Sequence, residues 1–247
     1  MRVFPVIITM VLALGGFAAL WLGVRTGSGL AAIDPGVVDA IAAAGPGWLV
    51  AVMAVVADAG SPLAVTFLLL AVAAALAWRA WSWRPVVVAA VGWGAVTGVD
   101  SLVKHLVARP RPPLELHAVT ATGFSFPSGH ATISAGVVLL VTWMIAFPGP
   151  TVDGSTAQSA PPRWTWGLVA TIFVPAVGAS RLVLGVHYPS DVLAGWCLAV
   201  LAVGAVALTV ALSTSRRAVP RPQRGMGPSP TSIPDTQGVN LPEKRSS

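Results

Sequence analysis

Three cations stand at the ends of apolar segments, where an ionisable side chain is energetically costly and therefore indicates function. They are Lys104, Arg111 and Arg181. One ammonium and two planar guanidinium groups suit the non-bridging oxygens of a phosphate. Ser128 and Gly129 directly precede an apolar run, and the N-terminus of a helix there would favour an anion at the same place. These residue types predict a site that binds a phosphoryl group.

Two histidines add the groups that phosphoryl transfer requires. Asp191 follows His187 by four residues, and Pro189 between them suits an early helical position. A carboxylate at that spacing can accept a hydrogen bond from one imidazole nitrogen and leave the other free to attack phosphorus. His130 would then protonate a leaving group. The carboxylates are too few and too dispersed for a metal site, so we expect neither a metal nor another cofactor.

Composition identifies the kind of protein that must position these residues. Of 247 residues, 15 are Lys or Arg, 9 are Asp or Glu and 55% are hydrophobic. The charged fraction is 10%, against roughly 25% in soluble domains, which excludes a soluble globule and excludes disorder for most of the chain. The single cysteine, Cys197, excludes an intramolecular disulfide framework. The net charge of +6 is scattered or lies in a tail, so no nucleic-acid partner is expected.

The apolar runs predict an all-α polytopic membrane protein, a six-transmembrane-helix bundle within residues 1–212, since a bilayer core about 30 Å thick needs about 20 apolar residues per helix. The predicted spans are 3–24, 62–78, 86–107, 131–147, 164–184 and 189–212. The first is too long for the apolar core of a secretory signal peptide, usually about 7–15 residues. Residues 35–57 are interpreted as two short interfacial helices, and residues 213–247 as a disordered cytoplasmic tail.

The distribution of positive residues predicts the orientation in the membrane. With the N-terminus inside, ten Lys and Arg residues lie on one side and five on the other. The positive-inside rule places the first group in the cytoplasm. Both termini would then be cytoplasmic in an inner (plasma) membrane, and the loops at 25–61, 108–130 and 185–188 would face outward. The predicted phosphate site is therefore extracytoplasmic.

The same residues form three short motifs. They are Lys104, six residues and Arg111-Pro112; then Pro127-Ser128-Gly129-His130; then Ser180-Arg181, five residues, His187, three residues and Asp191. In order and spacing they resemble the signature of the type 2 phosphatidic acid phosphatase superfamily, which also contains bacterial acid phosphatases and vanadium-dependent haloperoxidases. The signature spans residues 104–191, and six helices match the membrane branch of that family.

The resemblance implies a role for each residue. His187 would form a phosphohistidine intermediate, Asp191 would orient it, and His130 would protonate the leaving alkoxide. The phosphoryl group would be cradled by Lys104, Arg111, Ser128, Gly129 and Arg181. Water would then hydrolyse the intermediate without a metal. Of the two Arg-Pro pairs at 109–112, only Arg111-Pro112 stands at the family's distance from Lys104.

Motifs and membrane character together predict a membrane phosphatase for lipid phosphates or diphosphates, because an interfacial pocket can take a headgroup while the chain stays in lipid. Phosphatidic acid, phosphatidylglycerol phosphate and undecaprenyl diphosphate all suit that geometry. The bias toward Ala, Val, Gly and Arg over Lys favours a bacterial cell-envelope role. One alternative is a non-catalytic lipid-phosphate binder or transporter, which would not need His187 and Asp191. The other is a haloperoxidase, a branch whose known members are soluble.

Charged residues near the motifs have weaker assignments. Asp100 lies one turn before Lys104 and is a candidate partner for its ammonium. Arg109 and Glu115 are candidates to contact the headgroup, while His105 and His117 are interpreted as interfacial bystanders.

Overall fold

The structure, a computed structural model, describes residues 3–146 and 163–217. Within these two ranges every regular element is helical: α1 (Val3–Thr26), α2 (Leu30–Ala44), α3 (Gly47–Ala59), α4 (Pro62–Ala80), α5 (Arg84–Val107), a single 3-10 turn (Leu114–Leu116), α6 (Gly129–Ala146), α7 (Arg163–Val183) and α8 (Pro189–Arg217). The predicted all-α polytopic membrane architecture is confirmed.

Helix length and composition together define the candidate membrane spans. Five of the described helices, α1, α4, α5, α6 and α8, are long and apolar enough to cross a bilayer. α7 has a shorter apolar part, Val169–Val183. α2 and α3 pass the same test only as a pair, and a bend of 119° separates them. The described helices thus give five spans, or six with the bent pair, and the count of six that includes residues 164–184 stays a prediction.

α2 and α3 are the two short helices expected between the first and second spans, although α2 begins at Leu30 rather than near residue 35. Both outer ends of the pair contact the same end of the bundle. Asp34 of α2 accepts a hydrogen bond from Ser190 N at 3.1 Å. Gly60, directly after α3, lies so close to α7 that a Cβ on it would stand 2.3 Å from Val177 Cγ2. The α2–α3 pair therefore folds back over the end at which α7 leads into α8.

α6 lies at the centre of the bundle, in contact with α4, α5, α7 and α8. Glycines let its neighbours approach closely: a Cβ on Gly92 of α5 would stand 2.5 Å from Leu140, and one on Gly136 of α6 would stand 2.8 Å from Val96. Lipid provides no hydrophobic driving force between helices, so close packing at small residues stabilises such bundles. Through this packing the N-terminus of α6 reaches the bundle end that the α2–α3 pair covers.

The C-terminal helix is longer than predicted. α8 continues to Arg217 instead of ending at residue 212, because no proline interrupts the segment before Pro220. The first residues of the predicted tail are thus helical. The rest of that tail and Phe147, the end of the fourth predicted span, lie outside the described residues.

Candidate active site

Backbone hydrogen bonds join the three motif segments at one end of the bundle. The bonds run from Ser125 N to Arg109 O at 2.8 Å, from Ser128 N to Asp191 O at 3.0 Å and from Ala118 N to Leu184 O at 3.1 Å. The segment between α5 and α6 is thereby tied to the chain between α7 and α8. Side chains far apart in sequence are consequently held at one place.

Gly185 allows the chain before His187 to pass directly over the 3-10 turn. Its φ is +69°, and a Cβ on it would stand 1.9 Å from Leu116 O. Glycine adopts this left-handed conformation without steric cost and has no side chain to meet the carbonyl. Gly185 therefore helps to fix the path of the loop and with it the position of His187.

His187 is 2% exposed and lies between a carboxylate and a guanidinium. Its Nδ1 is 3.4 Å from Asp191 Oδ2, and its Nε2 is 3.0 Å from Arg111 Nη1. A guanidinium can only donate, so Nε2 is the acceptor and the proton of the neutral ring is on Nδ1. The Asp191 oxygen that faces this proton also accepts from Tyr188 N at 2.9 Å and from Ser125 Oγ.

Burial controls the charge of the groups in this loop region. It lowers the pKa of His187 to about 4, although Asp191 acts in the opposite direction. The imidazole is therefore neutral at pH 7, the state in which one ring nitrogen keeps a lone pair. Burial also lowers the pKa of Arg111 and raises the pKa of Tyr188.

Lys104 forms the contact predicted for it. Its Nζ is 3.2 Å from Asp100 Oδ2, so the expected pairing is present, and it also donates to Pro127 O. A Cβ on Gly129 would stand 3.3 Å from the same Nζ. The absence of a side chain at Gly129 thus lets the ammonium reach the start of α6.

Arg111 is held by the backbone of two segments. Nε donates to Gly123 O at 3.1 Å, Nη2 to Thr122 O at 2.9 Å and Nη1 to Val186 O at 2.8 Å. With the contact to His187, these bonds occupy four of its five N–H donors. Arg111 therefore connects the α5–α6 segment to the loop that carries His187.

Two other predicted phosphate ligands hold donors without a partner. Ser128 Oγ and Arg181 Nε are both buried and make no hydrogen bond among the described residues. Because buried polar groups in native proteins are nearly always paired, these donors mark positions where acceptor atoms of a ligand fit.

His130 completes the group. It is half-buried in the first turn of α6 and lies within electrostatic range of Lys104, Arg111, Arg181 and His187. Asp191 is likewise within range of Lys104 and Arg111. The fold thus brings the predicted histidines, carboxylate and cations together. In the described part of the chain, no group of three or more His, Cys, Asp or Glu residues is arranged to hold a metal ion.

The sequence reasoning missed several neighbours of Asp191. Arg109, a candidate to contact the headgroup, donates to Asp191 Oδ1 at 2.7 Å and to Asp34 Oδ2 at 2.8 Å. Asp34 carried a signal, since a carboxylate in an apolar segment indicates a functional partner. Ser125 and Ser190, which contact these carboxylates, carried none because serine is common in loops and at helix starts.

The fold defines a polytopic α-helical membrane protein. The chain belongs to the PAP2 superfamily, whose sequence model matches residues 85–215, a range that contains all three motifs. This is the family that the spacing of the motifs indicated.

Curated relatives are named as phosphatases. The chain is 35% identical over 118 residues to decaprenylphosphoryl-5-phosphoribose phosphatase of Mycobacterium tuberculosis, covering 47% of this chain and 55% of that protein. It is 34% identical over 102 residues to undecaprenyl-diphosphatase of Sulfolobus acidocaldarius, covering 38% and 40%. It is 26% identical over 154 residues to phosphatidylglycerophosphatase B of Bacillus subtilis, covering 62% and 71%. The chain spans about half the length of the first of these relatives.

A solved structure shares the fold. The crystal structure of a transmembrane PAP2 type phosphatidylglycerolphosphate phosphatase from Bacillus subtilis superimposes with a TM-score of 0.68 at 22% identity, covering 81% of this chain and 96% of that one.

Proposed function

We propose that the protein is a membrane phosphatase that hydrolyses lipid phosphate or diphosphate monoesters through a phosphohistidine intermediate. The observation that carries the proposal is the state of His187: Nε2 accepts a hydrogen bond from Arg111 while Nδ1 faces Asp191. A binder or transporter needs cations but has no use for an imidazole held in the nucleophilic tautomer. The names of the relatives support the same reaction class.

In the first step the lone pair on His187 Nε2 attacks phosphorus. The bond between phosphorus and the lipid oxygen breaks, and His130, whose protonated form is favoured by the negative charge of the bound phosphate, transfers its proton to that oxygen. The products are the lipid alcohol, or the lipid monophosphate from a diphosphate, and a phosphohistidine. Lys104, Arg111 and Arg181 stabilise the negative charge on the non-bridging oxygens in the transition state.

In the second step water replaces the histidine. His130, now neutral, takes a proton from the water, whose oxygen attacks phosphorus as the P–N bond breaks. Inorganic phosphate leaves, the lone pair returns to Nε2, and His130 is protonated for the next cycle. Asp191 stabilises the cationic ring of the intermediate and keeps its proton on Nδ1.

Arg111 must exchange one hydrogen bond during this cycle. Without substrate, one Nη1 hydrogen faces the Nε2 lone pair of His187. A phosphate oxygen is the stronger acceptor because its charge assists the bond. Substrate therefore draws that N–H away from Nε2, and the guanidinium keeps its three backbone carbonyl partners. Binding thus frees the attacking atom.

We further propose that the site faces the extracytoplasmic side of an inner membrane, with both termini cytoplasmic and six spans. The excess of positive residues at the opposite helix ends supports this orientation. The contacts of both outer ends of the α2–α3 pair with one end of the bundle support a re-entrant pair in place of a span. A headgroup at the bilayer surface could then reach the site while its chain remains in lipid.

A second candidate within this class is an undecaprenyl-diphosphate phosphatase of lipid-carrier recycling in the cell envelope. The identity to the Sulfolobus acidocaldarius enzyme favours it. The two candidates differ in substrate only, because the same phosphohistidine chemistry serves a monoester and a diphosphate.

Phosphate release from detergent-solubilised phosphatidic acid, phosphatidylglycerol phosphate and undecaprenyl diphosphate tests catalysis and substrate class together. We expect release from at least one, loss of release with His187→Ala, and an unchanged rate in EDTA. His105→Ala is the matched control, because His105 is exposed on α5, hydrogen-bonds to Ser101 O in its own helix and otherwise packs edge-on against Phe124. Full activity of His187→Ala would contradict the mechanism, and binding without release by the unaltered protein would favour the non-catalytic alternative.

A further inference from the structure

Arg109 lies between two buried carboxylates that come from different parts of the chain. Its Nη1 is 2.7 Å from Asp191 Oδ1, and its Nη2 is 2.8 Å from Asp34 Oδ2. Both carboxylates are 0% exposed, and the side chain of Arg109 is 12% exposed. Its guanidinium carbon also lies 4.1 Å from the centre of the Tyr188 ring. The fork of one arginine thus joins α2 to the start of α8.

Each oxygen of these two carboxylates has an identifiable donor. Asp34 accepts from Ser190 N through Oδ1 and from Ser190 Oγ and Arg109 through Oδ2. Asp191 Oδ2 faces His187 and accepts from Tyr188 N and Ser125 Oγ. Among the described residues, Arg109 is the side chain that bonds to Asp191 Oδ1. Arg109 therefore holds one oxygen of the carboxylate whose other oxygen faces His187, and together with Tyr188 N and Ser125 Oγ it sets the rotation of that carboxylate.

We propose that Arg109 is a positioning residue for the Asp191–His187 pair and that Asp34 of α2 holds Arg109 in place. This inference rests on the proposed function, since it assigns a role in the same reaction. It makes the bent α2–α3 pair, which lies outside the sequence motifs, part of the catalytic apparatus. Removing the guanidinium leaves two buried anions without their shared cation, a strongly unfavourable arrangement.

We infer that the charge of Arg109 reaches His187 through Asp191, since the guanidinium lies 2.7 Å from Asp191 Oδ1. A cation beside Asp191 offsets part of the attraction of that carboxylate for a proton on the ring, and so acts in the same direction as the burial that keeps the imidazole neutral. The other charged or titratable groups that face this ring or its carboxylate are Arg111 from the α5–α6 segment, Arg181 from α7, His130 from α6, Lys104 from α5 and Tyr188 from its own loop. These five groups are the same in the Arg109 and Asp34 variants. A difference in pH profile between such a variant and the unaltered protein therefore reports the effect of Arg109 and Asp34.

Steady-state hydrolysis by purified, monodisperse protein tests the inference. We expect Arg109→Gln to lower kcat by about 10- to 100-fold, the range for a hydrogen bond between charged groups, with KM within about twofold. Asp34→Asn should lower kcat less, and the double variant should be no slower than Arg109→Gln, because both changes break one chain of contacts. Asp39→Asn, an exposed carboxylate on the same helix, is the matched control and should keep the activity of the unaltered protein.

The acidic limb of kcat/KM separates positioning from a merely structural role. Arg109→Gln removes a positive charge and should move the limb to higher pH, whereas Asp34→Asn removes a negative charge and should not. Ionisation of the substrate contributes equally to all variants and cancels in the comparison. Arg109→Lys keeps the charge but not the fork, so it should keep the pH limb of the unaltered protein and still lose about tenfold in kcat.

The outcomes distinguish this inference from the proposed function. If the unaltered protein releases phosphate and Arg109→Gln or Arg109→Lys matches its kcat and pH limb, the positioning role is wrong and the phosphatase proposal stands. If Arg109→Gln aggregates, Arg109→Lys decides by the same two readouts. If the unaltered protein releases phosphate from no lipid, the proposed function fails and the inference fails with it.

Discussion

At the scale of single residues, the protonation state of His187 is the feature from which the proposed chemistry follows. The arginine on one side of the ring and the carboxylate on the other select one tautomer, and burial keeps the ring neutral. A buried neutral histidine also links stability to pH, because its imidazole binds a proton more readily in the unfolded chain than in the folded protein.

The folded pKa of about 4 lies below the unfolded value of about 6.5, so the direction of this effect is fixed. Above pH 6.5 the His187 imidazole is neutral in both the folded and the unfolded protein, and its contribution to the free energy of unfolding is fully present. That contribution is lost as the pH falls from 6.5 toward 4. The loss is at most about 3 kcal/mol. We expect the thermal unfolding midpoint in detergent to fall more between pH 7 and 4.5 for the unaltered protein than for His187→Gln, which cannot titrate. Equal falls would show that His187 does not carry the effect.

At the scale of elements, close helix contacts at glycine hold α6 between α5 and α8. Gly92 and Gly94 provide a paired test on one helix, since a Cβ on the first would stand 2.5 Å from buried Leu140 Cδ2 and a Cβ on the second would meet nothing within 4 Å. The two positions separate packing from helix propensity.

We expect Gly92→Ala to destabilise the bundle by about 1–3 kcal/mol through overpacking against Leu140. Gly94→Ala should be neutral or stabilise by about 0.5–1 kcal/mol, because alanine loses less backbone entropy in a helix. Thermal unfolding midpoints of the two variants in the same detergent measure the difference. A midpoint of Gly92→Ala at or above that of Gly94→Ala would contradict the packing account.

At the scale of the whole molecule, the orientation in the membrane decides which compartment supplies the substrate. The proposed orientation places the α5–α6 segment outside and the α4–α5 turn inside. Cys197 is the single cysteine of the chain, so the Cys197→Ala variant has no thiol. One cysteine introduced into that variant then shows on which side of the membrane its position lies.

In intact cells, a membrane-impermeant maleimide should label Thr120→Cys, an exposed position near the site. It should label Ser82→Cys, between α4 and α5, only after the membrane is permeabilised. The reverse pattern would place the site in the cytoplasm and leave the proposed chemistry unchanged.

Much of the site was predictable because its residue types are rare in an apolar chain. Lys104, Arg111, Arg181, His130, His187 and Asp191 are ionisable groups within or beside apolar segments, and the fold brings them into mutual range. The pairing of Asp100 with Lys104 followed from their spacing of one helical turn. The extent of α8 and the start of α2 were predicted less well, because helices often continue past the end of an apolar run.

The sequence by itself determined the fold class through its composition and the family through the resemblance of its motifs, and it predicted which groups would meet a phosphate. Tertiary structure alone decided that Arg109 contacts Asp191 and Asp34. It also decided that Arg111 directs a hydrogen at His187 Nε2. These contacts join residues 75 or more positions apart. A long cationic side chain pairs with whichever anion or lone pair the packed helices bring within its reach. Because that packing joins residues far apart in sequence, no local sequence pattern predicts the partner.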